Sequence, residues 1–200
     1  MPFFGKITAE WKRIDDSQVI WRVPNDTYPK IKKIKSVLVK EFERVAFISK
    51  GRIVSVVGPG EYPLPKGTDE IIWVDVSPKT LPFGIAKYRR LLTKDGREIG
   101  LSGTLELVVG NTEADIRKFL AKLVADKTTL TYNELIEWLR EGPLVPVFRD
   151  FLRGLTYGEI LRLNYNSIEY GVIPKLTREL LKYGLELKSI NVLGISLFKE

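Results

Sequence analysis

Few places in this chain combine residue types that could do chemistry. They are two acidic pairs, Asp15-Asp16 and Asp69-Glu70, a serine in Gly100-Leu101-Ser102-Gly103, and the loop Gly58-Pro59-Gly60. Paired carboxylates can act as general acid and base, but adjacent acids in polar stretches are ordinarily solvated, and no spacing here sets a catalytic distance. Ser102 would need a partner to take its proton. Its surroundings are not G-x-S-x-G, and a Ser–Lys pair has no motif here. Gly58-Pro59-Gly60 follows a strand, as a phosphate loop would, but Tyr62 and Pro63 stand where such a loop needs Gly-Lys-Ser/Thr or a helix start, so a structural turn is expected.

The chain has no His and no Cys. Thiolate nucleophiles, disulfides, zinc–thiolate knots and iron–sulfur clusters are thereby excluded, and so is the usual base near neutral pH. The acids do not form an EF-hand loop. The expectation is a protein with no catalytic, cofactor-binding or metal-ligating residues.

Charge offers more. The run Pro29-Lys30-Ile31-Lys32-Lys33-Ile34-Lys35 is the densest basic stretch, and residues 1–100 hold 19 Lys/Arg against 12 Asp/Glu while residues 101–200 hold 13 of each. The whole net charge of +7 therefore sits in one half. Lys30, Lys32, Lys33 and Lys35 fit a contact with an anionic surface, at about 1 kcal/mol per lysine near a charged membrane. They also fit a strand edge guarded by lysines. Arg89-Arg90 would extend a basic patch. The asymmetry points to lipid headgroups, nucleic acid or an acidic protein as partner, or to a charged, thermophile-style surface with none. No RRM, KH or helix-turn-helix signature is present, and Trp11, Trp21, Trp73 and Trp138 stand in apolar contexts that favour core, so nucleic acid is the weaker fit.

The elements that must position these residues change period at mid-chain. Val19–Val23, Ser36–Lys40, Arg44–Ser49, Arg52–Val57 and Glu70–Val76 read as strands, and Lys50-Gly51 closes a hairpin. Lys87–Thr93 and Arg97–Val109 flank Asp95-Gly96, a strong hairpin signal. From Thr112 onward, polar caps precede helical spacing. Thr112 and Asp115 open a helix over Glu113–Lys127 with Ile116, Phe119, Leu120, Leu123 and Val124 on one face. Thr131…Glu134, Thr156…Glu159 and Asn166…Glu169 repeat the signature. Gly142-Pro143 should break the second helix before another at Val147–Leu155, and Pro174 should kink the last helix or mark its first turn. Gly184 suits a helix end, and Glu186–Leu197 alternates as a closing strand.

With 200 residues, 44% hydrophobic and 28% charged, the chain has the means to bury a core. The fold class is α+β, a twisted antiparallel sheet from the N-terminal half with helices packed on it from the C-terminal half. Residues 1–35 form a lead-in and 36–197 the domain, divided into a strand-rich part, 36–110, and a helix-rich part, 111–197. No apolar run reaches the ~18–20 residues of a membrane span, and the N-terminus lacks signal-peptide character, which implies a cytoplasmic protein. Phe3 and Phe4 could dip into a membrane interface, but a disordered terminus or a core contact is the better fit.

The wording of several segments resembles one family. Val39-Lys40-Glu41-Phe42-Glu43-Arg44, running through Lys50-Gly51 to Gly58-Pro59-Gly60 and Leu64, is similar to the opening of the SPFH or band 7 domain of stomatins, prohibitins and flotillins. The Asp95-Gly96 hairpin, the helix after Thr112 and the closing Tyr183-Gly184-Leu185-Glu186-Leu187-Lys188-Ser189-Ile190-Asn191 follow in the family's order. Trp21, Ile34 and Ser36 resemble the lead-in of a soluble, virion-core-protein-like subgroup. The resemblance covers Val37 to Leu197. It implies a non-enzymatic scaffold that self-associates into rings or lattices, sits at membranes and regulates a partner protease or channel. The lysine run stands where the family usually has an apolar hairpin before the first strand, and the family's long coiled-coil tail is not expected here. The alternative is a binding module for a soluble acidic partner or nucleic acid.

Overall fold

A computed structural model describes residues 7–13, 16–25, 30–86 and 91–198. It is a mixed α+β structure whose strands form three sheets, with antiparallel pairing dominant. The chain divides into two compact units. One comprises Met1–Ser77 with Val109–Tyr132, the other Pro78–Val108 with Asn133–Glu200. Phe3, Phe4, Pro29 and Arg89-Arg90 lie outside the described residues.

The first unit pairs two sheets over one core. The smaller has the order β1 (Ile7–Glu10), β3 (Ile34–Val39), β6 (Gly60–Pro63). The larger runs β11 (Thr129–Thr131), β2 (Gln18–Val23), β7 (Glu70–Asp75), β4 (Glu43–Ser49), β5 (Arg52–Val57). β1 and β3 are parallel and so cannot be joined by a hairpin; the chain between them passes through β2 in the other sheet. Trp11, Val37, Val45, Phe47, Ile71 and Trp73 meet in the core. Trp21 and Trp73 are opposite one another on β2 and β7, their rings 5.1 Å apart.

Lys50 and Gly51 join β4 to β5 with φ of 50° and 70°, the left-handed pair whose twist suits a two-residue hairpin. At Gly58-Pro59 the chain does more than stop. It leaves the larger sheet and enters the smaller as β6, pairing with β3. Gly60 has φ of +139°, open to glycine alone without strain.

α1 (Glu113–Phe119) starts at Thr112, whose hydroxyl accepts from the Asp115 N–H at 3.2 Å. Ile116, Phe119, Leu120 and Val124 are buried, as their spacing requires. The helix loosens into a π-turn over Leu120–Val124 and ends at Ala125, earlier than the expected Lys127. Ala125 has φ of +46°, which stops the right-handed spiral, and its carbonyl accepts from Arg22 on β2.

In the second unit the sheet order is β12 (Leu185–Leu197), β10 (Glu98–Val109), β8 (Lys79–Ile85), with β9 (Leu91–Leu92) also paired to β10. The Asp95-Gly96 turn closes β9 onto β10 through Leu92↔Glu98 and Leu91↔Ile99. Asp95 also accepts from the Tyr157 N–H at 2.9 Å, binding the hairpin to the chain just after Thr156.

α2 (Tyr132–Leu139), α3 (Val145–Leu152), α4 (Tyr157–Arg162) and α5 (Tyr165–Leu181) complete the unit. Thr156 and Glu159 form a full capping box. Asn164, not Asn166, caps α5, accepting from the Ser167 N–H at 2.8 Å.

Gly142-Pro143 does not break the chain's helical path. Arg140–Leu144 forms a π-turn in which the Val145 N–H donates to Arg140 O, and this wider turn absorbs the donor that Pro143 lacks. Pro174 sits inside α5, away from its first turn. Gly171 faces α3, where an added Cβ would lie 2.1 Å from Phe151 Cε2. β8 was hidden from sequence reading by Pro82 and Gly84, which are tolerated because β8 is an edge strand.

Candidate functional site

The lysine run is built on two anchors. Ile31 and Ile34 are buried in the first unit's core, while Lys30, Lys32, Lys33 and Lys35 are exposed. Ile31–Lys33 forms one 3₁₀ turn and Ile34 starts β3. With apolar residues three apart turned inward, the intervening cations must face solvent. Lys30, Lys32 and Lys35 make no ion pair among the described residues. The edge-strand alternative does not fit, because β3 is hydrogen-bonded to β1 on one side and β6 on the other.

The other sequence candidates do not converge. Asp15 lies outside the described residues, and Asp16 is exposed. Asp69 Oδ2 accepts from the Lys50 N–H at 2.7 Å and supports the β4–β5 turn. Glu70 instead pairs with Arg22 at 3.3 Å. Ser102 is exposed on β10, beside a shallow hollow of about 300 Å³ that Gly84, Ala86, Gly194 and Phe198 also border. No lysine Nζ is bonded to its hydroxyl among the described residues. Gly58 and Pro59 link β5 to β6, and the Tyr62 hydroxyl donates to Pro59 O at 3.3 Å.

A buried charge cluster escaped the sequence reading. Glu43 on β4 and Asp75 on β7 are directly opposed across the strand pair. They are 1% and 0% exposed. Arg13, after β1, reaches both: its Nη1 donates to Asp75 Oδ2 at 2.7 Å, and its Nη2 is 3.8 Å from Glu43 Oε1. Asp75 also accepts from the Tyr132 hydroxyl at 3.2 Å and the Ser77 N–H at 2.9 Å. Glu43 Oε2 accepts from the Lys40 N–H at 3.0 Å. The Lys40 ammonium donates instead to Trp11 O at 3.1 Å, and the Arg13 guanidinium lies 4.5 Å from the Trp11 ring centre.

Burial pushes the Glu43 carboxyl above its ordinary range, against the lowering effects of the Lys40 N–H and of the Lys40 and Arg13 charges. Burial, and then Asp75, push the Tyr132 phenol up as well, so it stays a donor. One signal for this cluster was available: Asp75 is the single acid inside the apolar run Ile71–Val76. An acid there must be paired. Its partner could not be named without the β4–β7 register.

The two acids of the cluster are, among the described residues, closed off from solvent. Among the described residues no group of three or more acids could hold a metal ion. No helix among them is long and apolar enough to cross a membrane.

Residues 37–200 match the family model described as SPFH domain / Band 7 family. No curated protein matches the chain.

Proposed function

The chain belongs to the SPFH domain / Band 7 family, and from that premise we propose a non-enzymatic scaffold that self-associates and docks on an anionic membrane surface through Lys30, Lys32, Lys33 and Lys35. Proteins with this domain are generally scaffolds, commonly self-associate and are often found at membranes. The observation that carries the docking surface is the display of four exposed lysines on two core-anchored isoleucines. Fixing the backbone beneath them reduces the entropy lost when they meet a charged surface. As a member of the virion-core-protein-like subgroup, the protein would sit at the cytoplasmic face of the membrane and regulate a partner protease or channel.

Co-sedimentation with phosphatidylserine-containing and pure phosphatidylcholine vesicles tests the docking. Replacing all four lysines with Gln should weaken binding to anionic vesicles by about 4 kcal/mol, roughly a thousandfold, from ~1 kcal/mol for each. Binding should also fall as salt rises. Unchanged binding in the quadruple variant would remove the surface from the proposal. Salt-sensitive binding of DNA or RNA without vesicle binding would transfer the lysines to a nucleic-acid partner. Light scattering tests self-association separately, and a strict monomer would count against it.

A further inference from the structure

We propose that Glu43 and Asp75 form a proton-binding carboxylate pair, with Glu43 taking up a single proton as the surroundings turn acidic. This does not depend on the scaffold reading. The geometry places two acids opposite each other on neighbouring strands, both buried, with one guanidinium between them. Like charges so placed repel, and burial strengthens the repulsion.

The two acids are not equally provided for. Asp75 accepts from Arg13, Tyr132 and Ser77. Among the described residues Glu43 accepts from the Lys40 N–H alone, and its Oε1 is too far from Arg13 for a hydrogen bond. The ionised form of Glu43 is therefore the less stabilised, and Glu43 is where a proton enters.

The charged and titratable groups facing Glu43 are Arg13 from the segment after β1, Lys40 from the β3–β4 turn and Asp75 on β7. Tyr132, at the start of α2, acts through Asp75, and Asp16 lies beyond it. Proton uptake turns the Glu43 carboxylate into a neutral acid and leaves Arg13 matched to Asp75, one cation to one anion. The raised pKa of Glu43 agrees with this order.

The sign follows from linkage. The folded state holds this proton more tightly than the unfolded state does. The stability it contributes is complete below the ordinary glutamate pKa and is lost as pH rises through the higher folded value.

Carbon-detected NMR of the side-chain carboxyls, on the full chain from pH 3.5 to 8, tests the proposal. The resonance removed by Glu43→Gln should titrate above the ordinary glutamate value of about 4.3. Asp75→Asn should lower that midpoint. A Glu43 midpoint at or below the ordinary value overturns the proposal, as does one that Asp75→Asn leaves in place. If Asp75→Asn does not fold, thermal midpoints of wild type and Glu43→Gln decide. The variant should gain on wild type as pH rises from 5 to 8, and a constant difference overturns the assignment.

Discussion

Replacing Arg13 with Met tests the electrostatics of the buried cluster most directly. Methionine keeps an unbranched apolar stem that can still cover Trp11, but it removes the guanidinium that reaches both acids. Carboxylates facing each other at about 5 Å repel by about 3 kcal/mol at an effective dielectric constant of about 20. Losing a hydrogen bond to a charged group, here the 2.7 Å contact with Asp75, adds roughly 1.5–3 kcal/mol. Protonation sets a ceiling. Neutralising one glutamate at pH 7 from an unfolded pKa of about 4.3 costs roughly 3.7 kcal/mol, at about 1.4 kcal/mol per pH unit. The net loss at pH 7 should therefore be about 4–6 kcal/mol, at or slightly above the roughly 3–5 kcal/mol typical of a buried pair broken on one side. At pH 5 the same neutralisation costs about 1 kcal/mol, so the loss should fall by roughly 2 kcal/mol. Urea unfolding of both proteins at the two pH values measures it. A loss under about 1 kcal/mol at pH 7, or one equal at both pH values, would mean that Arg13 does not hold two mutually repelling carboxylates together.

Two further substitutions probe the second unit. Gly171→Ala should destabilise by about 1–3 kcal/mol, because the new methyl meets the Phe151 ring. Adding Phe151→Leu should return part of that loss, as urea denaturation of the double variant would report. Thr156→Ala should cost about 1 kcal/mol by removing the α4 capping box, measurable as a lowered thermal midpoint.

The sequence made some elements plain for identifiable reasons. Arg52–Val57 was read to its exact ends because Lys50-Gly51 fixes one side and Gly58-Pro59 the other. The α+β class followed from the change of period near Thr112, and the cap at Thr156 from its spacing to Glu159. What stayed hidden was decided by tertiary pairing. Ile7–Glu10 and Thr129–Thr131 are too short to signal alone and are strands because β3 and β2 accept them. The α2–α3 junction defeated the rule that Pro ends a helix, since a π-turn absorbed Pro143. For the candidate surface, the amphipathic spacing of Ile31 and Ile34 was visible, but the central position of β3 was not. The Glu43–Asp75 opposition depends on register between strands about thirty residues apart, which no local pattern carries.

The discontinuity of the first unit has a consequence for synthesis. Its strands up to Asp75 emerge early, yet β11, which pairs with β2, and Arg117, which donates to Ile53 O on β5, belong to the segment Val109–Tyr132. The 55 residues from Ser77 to Tyr132 take roughly 3–11 s to translate at ~5–20 residues per second. Throughout that interval the nascent chain presents an open β2 border on one flank and an unsealed β5 border on the other. A stalled ribosome would prolong the interval in which these unpaired strand borders are open to other chains.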